Sequence, residues 1–346
     1  MEWIHMHGIR VAEVLQFNLM DYRGFWLFVT HMGHPKAAFL LYFPVTFFLN
    51  RKAGIAVLWV AILAEWSNLI LKWFLFGERP YWWVSESGLF GSEKPKLIQF
   101  SSSCETGPGS PSGHSMVTAA VWLVMMTSLS SHLQSRSRRL GPVLKVLPVL
   151  LYLLVLLVVG ISRVFTLSHF PHQVVTGCIT GAVLGYIVIQ HVPEGKPLRF
   201  FALSTLGLLL GALLLYWCLE LGGVNLSWSI ELAQKWCVQP EWIRLDTAPF
   251  SSLTRDTGAL LGLGLALYLK PGGWELPLAP RALSLAFSSM ALYHLNRLAL
   301  PTYPPLLFYC LFFIKNGLVP LFVMAVVPRL VHAIAGQGQR QEEKDK

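Results

Sequence analysis

Apolar residues run along this chain of 346 residues in long stretches that short polar segments separate. A helix needs about 20 mostly apolar residues to cross the hydrocarbon core of a bilayer. We predict nine membrane-spanning helices on this basis. They lie at residues 26–49, 54–76, 115–133, 146–165, 173–190, 200–221, 254–270, 281–300 and 305–328.

The predicted fold is therefore an all-α, polytopic membrane protein with a single membrane-embedded domain over residues 1–346. The first 25 residues are amphipathic and carry charge throughout. They lack the basic start, the apolar run and the small-residue cleavage site of a signal peptide, so we expect a short interfacial helix there. Residues 329–346 are expected to form a short cytosolic tail.

Composition agrees with a lipid environment. The chain is 54% hydrophobic and only 13% charged, whereas soluble domains are about 25% charged. This balance excludes an ordinary cytosolic enzyme, a disordered protein and a disulfide-stapled secreted domain. The five cysteines are scattered and include no CxxC pair, so we predict neither a metal site nor a clear disulfide framework.

Basic residues set the predicted orientation. With the N-terminus outside the cytosol, short cytosolic segments and the C-terminal tail collect 14 of the 27 Lys and Arg residues, as the positive-inside rule expects. The net charge of +9 then needs no nucleic-acid partner. The long non-cytosolic segments are 77–114, 166–172 and 222–253. The 14 residues are Arg51, Lys52, Arg136, Arg138, Arg139, Lys145, Lys196, Arg199, Lys270, Arg281, Arg329, Arg340, Lys344 and Lys346.

Three polar segments stand out against the apolar background: 72–80 (KWFLFGERP), 107–114 (GPGSPSGH) and 162–173 (SRVFTLSHFPHQ). Each alone has an ordinary explanation, because basic side chains snorkel at helix ends and histidines occur in interfacial loops. All three, however, fall on the same, non-cytosolic side of the predicted topology. Together they bring three cations and two histidines to one place, which suits a dianionic phosphate and histidine-based catalysis.

The order and spacing of these residues resemble the three signature motifs of the type 2 phosphatidic acid phosphatase superfamily. The motif residues are Lys72, Arg79 and Pro80, then Pro111, Ser112, Gly113 and His114, then Ser162, Arg163 and His169. The longer segments ILKWFLFGERPYWWV, CETGPGSPSGH and SRVFTLSHFPHQVV resemble the glucose-6-phosphatase catalytic subunits, and the likeness extends along nearly the whole chain. Within that family, the chain length and the WVSESG stretch resemble the ubiquitous third branch most.

The resemblance implies a metal-independent, cofactor-free sugar-6-phosphate phosphohydrolase of the endoplasmic reticulum, with its active site facing the lumen. Glucose 6-phosphate and 1,5-anhydroglucitol 6-phosphate are the implied substrates, and a glucose-6-phosphate transporter is an implied partner. By motif, His169 is the nucleophile that forms a phosphohistidine and His114 is the proton donor. The implied phosphate ligands are Lys72, Arg79, Arg163, Ser112 and Gly113.

One position departs from the broader superfamily, which has an Asp four residues after the nucleophile. Gln173 stands there; its side chain can accept the ring N–H of His169 but cannot stabilise an imidazolium as an anion does, so the sequence does not name the group that orients His169. Glu105 and His34 are expected to be ordinary surface residues near the site. Glu65, seven residues before Lys72 on the same helix face, is expected to form a structural hydrogen bond or ion pair.

Further features carry weaker expectations. Trp82 and Trp83 are read as interfacial aromatics, with sugar stacking as the alternative. The polar segment 235–256 is a candidate lid over the site. Two other functions remain open from the residues themselves. A lipid phosphate phosphatase would need a lateral opening beside His169, and a transporter would place its polar residues near the bilayer midplane.

Overall fold

The computed structural model describes residues 1–91, 94–136, 141–243, 248–269 and 277–342. Within these ranges all regular structure is helical, which confirms the predicted fold class. The α-helices are α1 Glu2–Leu19, α2 Arg23–Met32, α3 Pro35–Ala37, α4 Phe43–Leu49, α5 Arg51–Leu75, α6 Pro80–Glu86, α7 Gly113–Arg136, α8 Gly141–Phe165, α9 Pro171–His191, α10 Leu198–Leu221, α11 Trp228–Trp236, α12 Pro249–Tyr268, α13 Leu278–Arg297, α14 Pro305–Leu321 and α15 Val327–Glu342.

The predicted count of nine spans is not confirmed. Among the described residues, six helical segments are long and apolar enough to cross a membrane, and they lie at 51–86, 113–134, 146–165, 171–191, 198–221 and 305–334. The predicted first span is interrupted, because α2 ends before Gly33 and a new helix begins at Pro35. The predicted spans 254–270 and 281–300 correspond to the helices α12 and α13, apart from Lys270, which lies outside the described residues.

Close helix crossings bring the site together. Added Cβ atoms at Gly177 and Gly181 of α9 would lie 2.6 and 2.1 Å from backbone oxygens at the start of α7. Glycine at these positions therefore lets the two backbones touch, as small residues do in membrane helix pairs. At the same crossing the N–H of Ser112 donates to the carbonyl of Gln173 at 3.1 Å. The N-termini of α7 and α9 are thereby held side by side.

The basic loops lie at one end of the helix bundle and the three polar segments at the other. Lys52 and Glu194 form an ion pair at 3.2 Å, so the predicted cytosolic loops around them lie at one end. Lys72 follows Lys52 by 20 residues of α5, which is about 30 Å at 1.5 Å per residue. The polar segments therefore gather at the opposite end from these loops.

The N-terminal helix α1 packs against the loop that carries His169. The ring of His5 stacks on Phe170 with centroids 4.3 Å apart. The side-chain amide of Gln16 donates to the carbonyl of Phe165 at 2.7 Å. The expectation of a simple interfacial helix is thus incomplete, because one face of α1 supports the loop between α8 and α9.

Candidate active site

Arg79 joins the three predicted polar segments. It precedes Pro80 at the start of α6, and its side chain is fully buried. Its Nε donates to the carbonyl of Gly107 at 2.7 Å and its Nη2 to that of Pro108 at 3.2 Å. Its Nη1 donates to the carbonyl of Ser168 at 3.0 Å. One guanidinium therefore fixes the loop before α7 and the loop before α9 in position relative to each other.

Arg163 approaches the same place from the last turn of α8. It is also fully buried, and its Nη1 lies 3.4 Å from the hydroxyl of Thr30 in α2. Its Nη2 donates to the carboxylate of Glu105. Burial of two guanidinium groups side by side is unfavourable unless an anion lies between them.

That anion is Glu105. Its Oε2 lies 3.0 Å from Nη1 of Arg79, and its Oε1 is paired with Nη2 of Arg163. Burial alone would raise the pKa of Glu105, but the guanidiniums of Arg163 and Arg79 outweigh it and hold that pKa well below its usual range. The surface placement expected for Glu105 is therefore wrong, and its side chain is 22% exposed.

Both histidines face the same carboxylate. Nδ1 of His114 lies 3.8 Å from Oε1 of Glu105, and Nε2 of His169 lies 3.9 Å from its Oε2. His114 sits in the first turn of α7, where Gly113 is the first helical residue. His34, also expected at the surface, instead lies edge-on to His114 with ring centroids 5.1 Å apart. A single anion-binding position thus meets two arginines and two histidines.

The carbonyl of Gly109, not Gln173, orients His169. Nδ1 of His169 lies 2.8 Å from that carbonyl oxygen. Because a carbonyl only accepts, Nδ1 carries the proton. Burial and the neighbouring Arg79 guanidinium lower the pKa of His169 well below 6.5, so the ring is neutral at neutral pH. Its Nε2 therefore keeps a lone pair, and this buried atom has no hydrogen-bond partner within the described ranges.

The side chain of Gln173 bonds to the backbone and not to the ring of His169. Its Oε1 accepts from the N–H of Phe170 at 3.0 Å, and its Nε2 donates to the carbonyl of Glu78 at 2.7 Å. It caps α9 and ties that helix to the chain ahead of α6. Gly109 fits only without a side chain, because an added Cβ would lie 2.4 Å from the carbonyl oxygen of Glu78.

A cavity of about 110 Å³ opens beside these groups. Lys72, Arg79, Gly113 and His114 line one part of it, together with Glu105. Arg163 and His169 are fully buried and lie behind Glu105, outside the cavity lining. The other part of the cavity is lined by residues including His34, Glu65, Asn68, Leu69, Trp73, Ser252 and Arg255.

The predicted phosphate ligands are not placed alike. The amino group of Lys72 has no hydrogen-bond or ion-pair partner among the described residues and faces the cavity. Ser112 is fully buried outside the lining, where its hydroxyl oxygen accepts from the N–H of Ser115 at 3.4 Å and from the Ser115 hydroxyl at 3.1 Å. Its hydroxyl thus caps the start of α7, and it is not brought to the cavity.

A disulfide between Cys104 and Cys237 anchors the loop of Glu105 to the segment after α11. Nothing in the sequence indicates this bond, and the prediction of no clear disulfide framework is wrong. The two cysteines are 133 residues apart in the chain, and only the fold makes them neighbours. The hydroxyl of Tyr81 also donates to the backbone carbonyl of Glu105 at 3.1 Å. The backbone of Glu105 is therefore held from both sides, whereas its side chain ends at the cavity.

Other predictions have mixed outcomes. Glu65 forms the expected ion pair, and its partner is Arg255 of α12. Trp82 and Trp83 are buried among aromatic residues that include Trp228 and Phe170, so neither the interfacial nor the sugar-stacking prediction holds. Residues 248, 252 and 255 line the cavity, which agrees in part with the predicted lid at 235–256. The described residues contain no cluster of three or more potential metal ligands of the His, Cys, Asp or Glu type.

Comparison with known proteins places this chain in a family. A model of the PAP2 superfamily matches residues 53–196, which contain every predicted motif residue. The chain is 49% identical to Glucose-6-phosphatase 3 of Bos taurus and 48% identical to that of Homo sapiens, in each case over 95% of this chain and 96% of the relative. It is 38% identical to Glucose-6-phosphatase 2 of Mus musculus over 99% of both chains. No solved structure matches the chain significantly.

The matched motifs and the site they form define a PAP2-type phosphatase, which is a phosphoric monoester hydrolase. Within that class, the chain belongs to the glucose-6-phosphatase family and is similar to its third member. The family resemblance inferred from the sequence is thereby confirmed.

Proposed function

We propose that this protein hydrolyses glucose 6-phosphate and related sugar 6-phosphates, such as 1,5-anhydroglucitol 6-phosphate, through a phosphohistidine on His169. One observation carries the proposal. The carboxylate of Glu105 is bound by Arg79 and Arg163 and lies directly in front of Nε2 of His169. An anion of the chain itself thus occupies the position where the phosphate of a substrate would meet the nucleophile.

Binding is then an exchange of anions. The substrate phosphate takes the place of the Glu105 carboxylate on Arg79 and Arg163, and the amino group of Lys72 approaches from the cavity side. The N-terminus of α7 at Gly113 adds backbone N–H groups, which bind anions at helix starts. Arginine forks contact two phosphate oxygens at once, which holds phosphorus in line with the attacking nitrogen.

The first chemical step transfers the phosphoryl group to the enzyme. The lone pair on Nε2 of His169 attacks phosphorus, and the bond between phosphorus and the sugar 6-oxygen breaks. His114, in its protonated form, gives its proton to that oxygen, so neutral sugar leaves. The carbonyl of Gly109 holds the Nδ1 proton of His169, and this fixes which ring nitrogen attacks. The cations stabilise the charge that develops on the phosphoryl oxygens.

The second step releases phosphate. Water enters where the sugar has left and attacks phosphorus opposite Nε2 of His169. His114, now neutral, accepts a proton from that water. The phosphorus–nitrogen bond breaks, its electron pair returns to Nε2, and inorganic phosphate leaves. Both histidines are then back in their starting states.

We propose that the site faces the lumen of the endoplasmic reticulum, with the N-terminus on the same side and the C-terminus in the cytosol. Two features support this orientation. The loops of Lys52 and Glu194 lie at the end of the bundle opposite the site, in agreement with the positive-inside rule. The disulfide beside Glu105 belongs in an oxidising compartment. A sugar phosphate made in the cytosol would then need a transporter as a partner to reach the site.

A substrate panel tests the proposed reaction. Membranes containing the protein would be assayed with sugar 6-phosphates, 1,5-anhydroglucitol 6-phosphate and lipid phosphates, before and after permeabilisation. We expect turnover of the sugar phosphates that rises on permeabilisation and is lost in His169→Ala. Preferential hydrolysis of lipid phosphates would contradict the proposed substrate, and equal activity in intact vesicles would contradict the lumenal site.

The role of His114 has its own test. His114→Ala should lose most activity on sugar phosphates, because the sugar oxygen is a poor leaving group without a proton. A substrate with a good leaving group, p-nitrophenyl phosphate, should regain much of the first step. Equal loss on both substrates would contradict the role of His114 as proton donor.

A further inference from the structure

The cavity extends past the phosphate position along one face of α5. Glu65, Asn68 and Lys72 are three and four residues apart, so they share this face, and all three line the cavity. At 1.5 Å per residue, Asn68 lies about 6 Å and Glu65 about 10 Å from Lys72 along the helix axis. A sugar ring joined through its 6-oxygen to a phosphate at Lys72 therefore comes level with Asn68 and then with Glu65.

This face of α5 forms one wall of the cavity, and only some of its polar side-chain atoms have hydrogen-bond partners among the described residues. Nδ2 of Asn68 donates to the carbonyl of Pro111 at 3.1 Å and lies 3.6 Å from the sulfur of Met116. Its Oδ1 accepts from none of the residues that the structure describes, and it points to the start of α7, 3.0 Å from where a Cβ on Gly113 would lie. An acceptor that borders a cavity is suited to a hydroxyl donor.

Glu65 and Arg255 form the far end of the wall. Oε2 of Glu65 is paired with Nη2 of Arg255, and Nε of Arg255 donates to Oδ1 of Asp256 at 3.1 Å. All three residues are buried in an apolar bundle. Charged residues in such a position are costly, and they usually mark a binding or transport path. The ion pair leaves Oε1 of Glu65 without a partner among the described residues, so it adds a second acceptor.

Apolar side chains complete the cavity. Leu69 lines it about one helical turn along α5 from Glu65, and Trp73 lines it about one turn beyond Leu69. A sugar presents hydroxyl groups around its edge and C–H groups on its faces. A wall that alternates acceptors with an aliphatic and an aromatic side chain matches both surfaces, whereas a lipid chain would match neither Glu65 nor Asn68.

We infer that Asn68, together with the Glu65–Arg255 pair, binds the ring hydroxyls of the substrate and selects sugar phosphates over other phosphate monoesters. The inference rests on the proposed function, because it assumes that the phosphate group lies at Arg79 and Arg163. It assigns these residues to specificity and not to the chemical step. Asn68 and Glu65 therefore matter for substrates that carry ring hydroxyls.

The test compares two substrates on the full-length protein in membranes. Asn68→Ala should lower kcat/KM for glucose 6-phosphate relative to p-nitrophenyl phosphate by about tenfold or more, since a site that binds a substrate hydroxyl discriminates strongly against its loss. Glu65→Gln, which keeps the side-chain shape, should shift the ratio in the same direction. Asn316→Ala is the matched control, because Asn316 is a buried amide on α14 that lines a different cavity, and it should leave the ratio unchanged.

Deoxy analogues of glucose 6-phosphate test directly whether Asn68 binds a ring hydroxyl. If Asn68 binds a hydroxyl, the wild-type protein should disfavour one deoxy analogue of glucose 6-phosphate, and Asn68→Ala should no longer distinguish it from the parent sugar. Equal losses on all substrates in both variants would overturn the inference, because a purely structural role acts on every reaction alike. Failure of the wild-type protein to hydrolyse any sugar phosphate would instead overturn the proposed function.

Discussion

Nε2 of His169 faces Oε2 of Glu105 across 3.9 Å, and that carboxylate is held by both buried arginines. The proposed nucleophile is therefore covered by an anion from its own chain. Since Glu105 separates His169 and Arg163 from the cavity, a phosphate reaches the nucleophile only after the side chain turns away. The backbone of Glu105, fixed by Tyr81 and the neighbouring disulfide, does not need to move with it.

Removal of this competing charge should tighten anion binding. Glu105→Gln should lower the inhibition constant of inorganic phosphate by about tenfold, because a hydrogen bond to a charged group contributes about 1.5–3 kcal/mol. Steady-state inhibition by phosphate measures the effect. The control is Glu86→Gln, which removes a carboxylate paired with Lys235 away from the cavity. An unchanged or weaker affinity for phosphate in Glu105→Gln would show that Glu105 positions the arginines instead of competing with substrate.

Gly109→Ala should inactivate the enzyme without removing a catalytic group. The new Cβ would lie 2.4 Å from the carbonyl oxygen of Glu78, so the loop must shift and carry the Gly109 carbonyl away from His169. A displacement of about 1 Å can lower a rate roughly 100-fold, and we expect kcat to fall at least that far. Gly207→Ala is the control, because nothing lies within 4 Å of its added Cβ. Normal kcat in Gly109→Ala would contradict the orienting role of this carbonyl.

Acid should not inactivate the nucleophile near neutral pH. The pKa of His169 is lowered well below 6.5 by burial and then by Arg79, and attack requires the neutral ring. Its protonation should therefore limit kcat/KM only below pH 6.5, with no loss from this group between pH 7.5 and 6.5. Glu105 raises that pKa, so Glu105→Gln should move the acid limb to still lower pH. An acid limb at or above pH 6.5 that moves upward in Glu105→Gln would contradict this assignment.

The motif residues could be predicted from the sequence, but several of their partners could not. Lys72, Arg79, His114, Arg163 and His169 stand in a fixed order with fixed gaps, and the fold brings all five together. The partner of His169 could not be named from the sequence, because a backbone carbonyl such as that of Gly109 leaves no signal there. The same limit applies to Glu105, whose loop has no helical or strand pattern that would place it.

Contacts between residues far apart in the chain could not be predicted from the sequence either. Cys104 and Cys237, like Glu65 and Arg255, are distant in the chain and meet only because of how the helices cross. Hydropathy predicts the position of most helices but not the interruption of the first span. There the helix ends at Gly33, within an otherwise apolar stretch. Local pattern thus predicted elements and motifs, whereas contacts between segments needed the fold.

The disulfide gives a test that does not depend on activity. Peptides containing Cys104 and Cys237 should run as one linked species without reductant and separate when it is added. Loss of a disulfide costs a small domain roughly 2–5 kcal/mol, so Cys104→Ser and Cys237→Ser should each lower thermal stability, and the double variant should be no worse than either single one. Cys310→Ser, at an exposed free cysteine, is the control. Unlinked peptides in the non-reduced protein would contradict the pairing and weaken the case for a lumenal loop.

The central claim, that His169 is the nucleophile, is tested most directly by trapping the phosphoenzyme. Membranes would be incubated briefly with glucose 6-phosphate labelled at phosphorus and quenched in alkali, which preserves phosphohistidine. We predict an acid-labile label on the wild-type protein that maps to the peptide of His169 and is absent in His169→Ala. A label that persists in His169→Ala, or that maps to His114, would contradict the account.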